Sequence, residues 1–143
     1  MSMAHTDEIR SLLNQPLAVL ATNGVDGLHT SLVAVIADER SIWFLTLRNT
    51  RKWHNLQYYP GVSVLFDSRD AHGANLEAAS ALTVSGRARF LIDSTADQTR
   101  ERLVARHPSL ALLASDPECC VVEVTIDTCY GITGLKHKHS SGD

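Results

Sequence analysis

Trp43-Phe44-Leu45-Thr46-Leu47-Arg48-Asn49-Thr50-Arg51-Lys52-Trp53-His54-Asn55-Leu56-Gln57-Tyr58-Tyr59-Pro60 reads as a buried strand that passes through a short loop into a short helix stopped by proline. Thr50 carries the side chain of an N-cap, whose hydroxyl oxygen accepts from a first-turn amide that has no carbonyl partner within the helix. Beyond it Trp53, Leu56 and Tyr59 recur at helical spacing on one face. Arg51 and Lys52 would open the helix, where a cation beside the positive end of the macrodipole costs roughly 0.3–1 kcal/mol. Three basic side chains (Arg48, Arg51 and Lys52), a hydroxyl and unpartnered first-turn amides together make a place for an anion, most naturally a phosphate. The alternative at this point is a capped helix whose cations point into solvent.

Upstream of this joint the chain reads as helix, then hairpin. Thr6, Asp7, Glu8, Ile9, Leu12 and Leu13 predict an N-cap, an acidic first turn and an apolar stripe, ending near Asn14-Gln15-Pro16. Leu17 to Thr22 is a short apolar run, and Asn23-Gly24-Val25-Asp26-Gly27 holds two turn signals before a second β-rich run from Leu28 to Ala37. In that second strand His29, Ser31, Val33 and Val35 share one face, and Thr30, Leu32, Ala34 and Ile36 the other. Neither face is cleanly polar, which places the strand inside a barrel or under a partner subunit. Asp38 to Ser41 is the next turn, and Ile42 to Leu47 the third strand.

Downstream, Gly61 to Phe66 predicts a fourth strand and Asp67 to Ala79 a loop containing His72-Gly73-Ala74-Asn75. The fifth strand, Ala81 to Ile92, alternates Leu82, Val84, Gly86, Ala88, Phe90 and Ile92 against a mostly polar face, with Gly86 as a place for a bend or close approach. Ser94 is the expected cap of an amphipathic helix whose apolar face includes Ala96, Thr99, Leu103 and Ala105 or Arg106, and which stops at His107-Pro108. A sixth strand runs from Cys119 to Ile126, with a continuation over Tyr130 to Leu135. The expected fold is therefore mainly β: six antiparallel strands with peripheral helices in one domain over 1–143. The polar ending 136–143, with His137 and His139, reads as a flexible tail.

The chain has 143 residues, 13 Lys and Arg against 16 Asp and Glu, and a formal net charge of −3. That balance leaves no basic face for DNA or RNA, so the anion site must be local. No run approaches the ~20 apolar residues of a membrane-spanning helix, and the start lacks the pattern of a signal peptide, so a cytoplasmic protein is expected. Cys119, Cys120 and Cys129 are odd in number and lack CxxC spacing, which points to reduced thiols rather than a disulfide framework or zinc site; no metal site is expected. His29, Asp26 and Ser31 sit on one hairpin without a Gly-x-Ser-x-Gly elbow, which argues against a hydrolase.

Phe44-Leu45-Thr46, followed by Thr50-Arg51-Lys52 and closed by Pro60, resembles the pyridoxamine 5′-phosphate oxidase-like FMN-binding split-barrel superfamily. Ala21-Thr22 with Asp26-Gly27, and Val84-Ser85-Gly86-Arg87-Ala88, extend the resemblance over most of the chain. It implies a six-stranded split β-barrel that forms a homodimer, with FMN in a cleft at the subunit interface. By the same resemblance Thr50, Arg51 and Lys52 hold the phosphate, Leu45 and Thr46 line the ribityl chain, and His29, Thr30, Ser31 and Leu32 border the isoalloxazine ring. The pattern departs from the oxidases themselves: an arginine and a lysine of the second strand are here His29 and Ala34, and a flavin-touching glutamine is Ala81. The resemblance thus implies an FMN-dependent oxidoreductase acting on a small organic substrate other than pyridoxamine phosphate, with no catalytic residue assigned. The other readings are a flavin carrier or redox sensor, a deazaflavin relative, or a haem-binding split barrel.

Overall fold

The computed structural model of the chain describes residues 3–69, 73–133 and 136–142, with Met3 to His5, Ile132 and 136–142 as backbone only. Helix α1 (Met3–Leu13) leads into strands β1 (Leu17–Gly24), β2 (Gly27–Ala34), β3 (Ile36–Ala37) and β4 (Ser41–Leu47). Then come α2 (Arg51–Tyr58), β5 (Gly61–Asp67), a 3₁₀ turn (Leu76–Ala78), β6 (Ser80–Phe90), α3 (Asp93–Arg106) and a second 3₁₀ turn (Pro108–Leu110). The chain closes with α4 (Ala111–Ser115), β7 (Cys119–Thr133) and β8 (Lys136–Gly142).

All pairings are antiparallel, and the sheet runs β2-β1-β5-β6-β7-β4-β3, with β8 also paired to β7. Seven strands on this path and an eighth beside it replace the expected six. One extra strand arises because the run 28–37 is broken at Val35, whose amide donates to Pro16 O at 3.0 Å. At that break the chain crosses from one end of the sheet to the other, so the sheet must curl until its outer strands approach. The result is a split half-barrel of the expected class. The other extra strand is β8, which lies where a tail was expected. One edge of β7 is taken by β4 only over Cys119 to Thr125, and β8 pairs along the remainder, Thr128 to Thr133. Backbone ladders need no apolar side chains, so a polar segment can fill that vacant edge.

The inward faces make one core. Leu20, Val33, Val35, Ile42, Phe44, Val64, Phe66, Leu82, Val84, Val122 and Val124 meet there, with Leu12 and Leu13 of α1 and Leu56 of α2 closing the ends. Outside the barrel, Trp43, Leu45, Cys119 and Val121 pack under Ala96 and Leu103 of α3 in a second cluster. Ala96, Thr99 and Leu103 are the buried residues of α3, as the spacing predicts, whereas Ala105 and Arg106 in its last turn, expected to continue that face, are exposed. Gly86 marks the bulge in the β6–β7 pairing, and a Cβ there would collide with Thr125 O, so the close approach expected at this glycine is present.

Two helix starts differ from expectation. Helix α1 already runs from Met3, so Thr6 lies within it. Helix α3 begins at Asp93, the cap position falls on Ile92, and no side chain makes a cap bond. In both cases a good capping side chain was preceded by residues that themselves entered the helix. His72 of the expected loop and Leu135 of the expected sixth-strand continuation lie outside the described residues.

Candidate anion and cofactor site

Strand β4 delivers its last turn-facing hydroxyl to the start of α2. Thr46, 2% exposed, is on the inward face with Ile42 and Phe44, and its Oγ1 lies 3.2 Å from Thr50 Oγ1. Thr50 Oγ1 donates to Leu47 O at 2.9 Å and accepts from Trp53 N at 3.2 Å, so it is the expected N-cap. Its single proton being on the Leu47 carbonyl, Thr46 is the donor within the hydroxyl pair. Both hydroxyls are thereby satisfied within the protein. They shape the joint, and the loop adds Asn49 at φ 68°, a left-handed turn suited to asparagine.

The three cations part company. Arg48 is held outward, its amide donating to Glu118 O at 2.9 Å and its Nε 3.6 Å from Glu118 Oε2. Arg51, on the exposed side of the first turn, reaches the β1–β2 turn and donates from Nη2 to Asp26 O at 3.4 Å. Lys52 is half-buried, and burial lowers its pKa from the usual lysine value. It has no hydrogen-bond or ion-pair partner among the described residues. Arg51 and Lys52 thus remain a pair at the helix start, and Arg48 does not join them.

Helix α2 is pinned over the barrel end by a buried polar bond that the apolar pattern did not reveal. Asn55 Nδ2 donates to Thr22 Oγ1 at 3.0 Å, with both residues buried. The helix therefore buries Asn55 and Leu56, while Tyr59 caps its C-terminus and stays 40% exposed rather than completing an inward stripe. Gly24 admits this arrangement, since a Cβ there would collide with Asn55 Oδ1. The signal was available in the sequence only as a glycine in a hairpin and an asparagine one turn after Lys52.

Strand β2 divides its four candidate residues between two faces. His29 is the cross-strand partner of Thr22 and Ser31 that of Leu20, so both belong to the inward side. Thr30 and Leu32 are exposed on the outer side. His29 Nδ1 and Ser31 Oγ are buried and have no hydrogen-bond partner. An unmade bond of this kind costs roughly 1–3 kcal/mol, and two on neighbouring same-face residues mark a place where a polar ligand supplies the missing partner. Among the described residues β2 pairs only with β1. Both β4 and α2 approach β2. Leu45 does not join this group: its side chain alternates to the opposite face from Thr46 and packs in the cluster beneath α3.

A concavity of about 470 Å³ is bordered by Gly24, Val25, Asp26, Asn49, Arg51 and His54 beside the helix start. A larger groove of about 700 Å³ lies between α1 and the β3–β4 turn, with the exposed Arg10–Glu39 pair at 2.7 Å on its lining, and none of the buried unpartnered atoms among the described residues belongs to it. The convergent chemistry is at α2. Of the candidate residues Arg51 alone lines the smaller concavity; in kind, the half-buried Lys52 ammonium, the Arg51 guanidinium and the first-turn amides of α2 fit a flavin phosphate.

Known proteins place this arrangement in context. The family model described as pyridoxamine 5′-phosphate oxidase matches residues 5–133. The general stress protein 26 of Bacillus anthracis str. Sterne superposes with a TM-score of 0.72 at 24% identity, over 91% of this chain and 95% of that one. A haem storage protein of Vibrio cholerae, HutZ, gives 0.76 at 18% identity, over 94% and 98%. A haem-binding protein of Mycobacterium smegmatis gives 0.85 at 15% identity, covering 99% of this chain and 59% of that one. At these identities the likeness is one of fold. No curated protein matches the chain. The family model runs from α1 through the whole of β7, and with it through the cap, the cation pair and β2; the chain belongs to the pyridoxamine 5′-phosphate oxidase family.

Proposed function

We propose that this protein binds FMN, with the phosphate at the start of α2 against Lys52 and Arg51 and the ring along β2, in a homodimer whose cofactor cleft is shared between subunits. The observation that carries the reading is Lys52, half-buried at a helix N-terminus with no acceptor among the described residues. Burying a cation beside the positive end of a helix is unfavourable twice over, and an anion removes both costs. When bound, the flavin supplies hydride chemistry through N5, and the chain's own residues bind and orient it. The activity that follows is oxidoreduction of a small organic substrate. The side chains of His29 and Ala34, where the oxidases carry an arginine and a lysine, separate it from pyridoxamine phosphate oxidation.

The test is a titration of FMN and riboflavin into the protein and into Lys52→Ala, read by flavin fluorescence. A charge-assisted phosphate bond is worth roughly 1.5–3 kcal/mol, so Lys52→Ala should bind FMN about 10- to 150-fold more weakly while riboflavin binding is unchanged. Equal losses for both ligands, or an unchanged FMN affinity, would refute the phosphate assignment. A Soret band on haem addition with no FMN binding would turn the reading to the haem-binding alternative.

A further inference from the structure

We propose that the concavity beside α2 holds the adenylate half of a dinucleotide flavin, so that the site takes FAD as well as FMN and holds FAD more tightly, with Arg51 on the second phosphate and the His54 and Tyr59 side chains against the adenosine. The proposal rests on the flavin reading above and narrows the chemical class of the cofactor. The two cations at the start of α2 are not in one place. Arg51 and Lys52 are consecutive, so about 100° separates them around the helix axis. Lys52 is half-buried and does not border the concavity of about 470 Å³, whereas Arg51 is exposed and does. Arg51 Nη2 reaches only the neutral Asp26 carbonyl at 3.4 Å, a long bond that leaves its charge without an acid among the described residues. A monoester phosphate at the helix start is met by Lys52 and the first-turn amides. A second phosphate joined to it comes to Arg51, at the entrance to the concavity.

Beyond Arg51 the concavity follows α2. His54 succeeds Arg51 at i+3 on the same helix face, and Tyr59 closes the space at the C-cap. Eight helical residues span about 12 Å, enough for a nucleotide laid out from phosphate to base. The charged end is thus followed by an aromatic end. His54 and Tyr59 are both exposed, and the His54 ring is held edge-on to Trp53 with centroids 5.0 Å apart. Flat rings bordering a polar cleft take a nucleobase by stacking. The β1–β2 turn brings the exposed Asp26 to the same space, and a carboxylate suits a ribose diol. None of the β2 residues assigned to the flavin ring borders this space, so FMN leaves it unfilled, and its volume is in the range of small-ligand pockets.

FMN and FAD are titrated by calorimetry into the protein and into the double variant His54→Ala, Tyr59→Ala. The expected result is an FAD affinity about tenfold or more above that of FMN in the protein, the order that stacking of one base supplies. In the double variant the ratio should fall to about one while FMN affinity is unchanged. A ratio of one or less in the protein, or an FAD advantage that survives in the double variant, would overturn the adenylate site and leave the flavin reading standing. If the double variant does not fold, competition in the protein itself decides: AMP should weaken FAD binding and leave FMN binding unchanged, and AMP that displaces both or neither would overturn the proposal. AMP that binds alongside FMN with no FAD advantage would give the concavity to a free nucleotide, which also overturns it. No binding of either flavin would overturn the flavin reading and this proposal together.

Discussion

Lys52 is where stability and binding pull against each other. Its lowered pKa means that the folded state disfavours the charged ammonium relative to the unfolded chain. The penalty is fully present below the lowered value, shrinks as pH rises toward the usual lysine pKa of 10.5, and is gone above it. Lys52→Met, which keeps the aliphatic stem and removes the charge, should therefore be more stable than the ligand-free protein at pH 7, with the gap closing as pH approaches 10. Urea unfolding across that range measures it, and a less stable variant at pH 7 would show that the ammonium has a partner after all. Thr46, Thr50 and Lys52 were legible in the sequence because cap, cation and hydroxyl follow one another along the chain. Leu45 was not separable from Thr46 by motif alone. The two-residue period of a strand sends its side chain into the packing beneath α3, and only its backbone remains available to a ligand on the inward side.

Among the elements, α2 is the one whose position sets the site, and it is held by a buried hydrogen bond rather than by an apolar stripe. Asn55→Ala removes the donor and leaves Thr22 Oγ1 buried without it, a loss of about 1–3 kcal/mol. Denaturant midpoints should fall accordingly, and FMN affinity should fall with them because the helix start loses its registration over β2. A variant with unchanged stability would place the anchor of α2 elsewhere. Element order and most strand centres could be read from periodicity, including the inward face of α3. The break at Val35 could not, because β2 and β3 are both apolar and the interruption is a change of partner, from β1, whose ladder ends with Val35 N donating to Pro16 O, to β4 from Ile36 onward. β8 was hidden for the opposite reason. Lys136-His137-Lys138-His139-Ser140-Ser141 has no apolar alternation, and its pairing follows from the length of β7, whose edge extends past the end of β4.

At the scale of the whole molecule, the outer face of the β1–β2 hairpin carries Leu17, Leu28 and Leu32 at 50%, 79% and 64% exposure, with Tyr58 of α2 at 76%. Cross-strand register places Val19 beside Leu32 and Leu65, so part of this face, around Leu32, is an apolar surface across three strands. Apolar patches of this kind mark contact with another molecule, and a two-fold interface would cover the patch on both subunits. Leu17→Glu, at the rim of the patch, should shift the protein to monomer. The flavin should weaken with it if the cleft is shared. The same strand carries Leu32 on this outer face and His29 and Ser31 on the inward one, so the proposed interface and the proposed cofactor site would adjoin at β2. Sedimentation velocity at low micromolar protein, followed at a flavin band with one equivalent of FMN, tests this most directly. The account predicts that flavin absorbance travels with the dimer, and that dilution releases flavin and dissociates the dimer together. Flavin held tightly by a monomer would contradict the shared site, and flavin remaining free at every concentration would contradict the account at its centre.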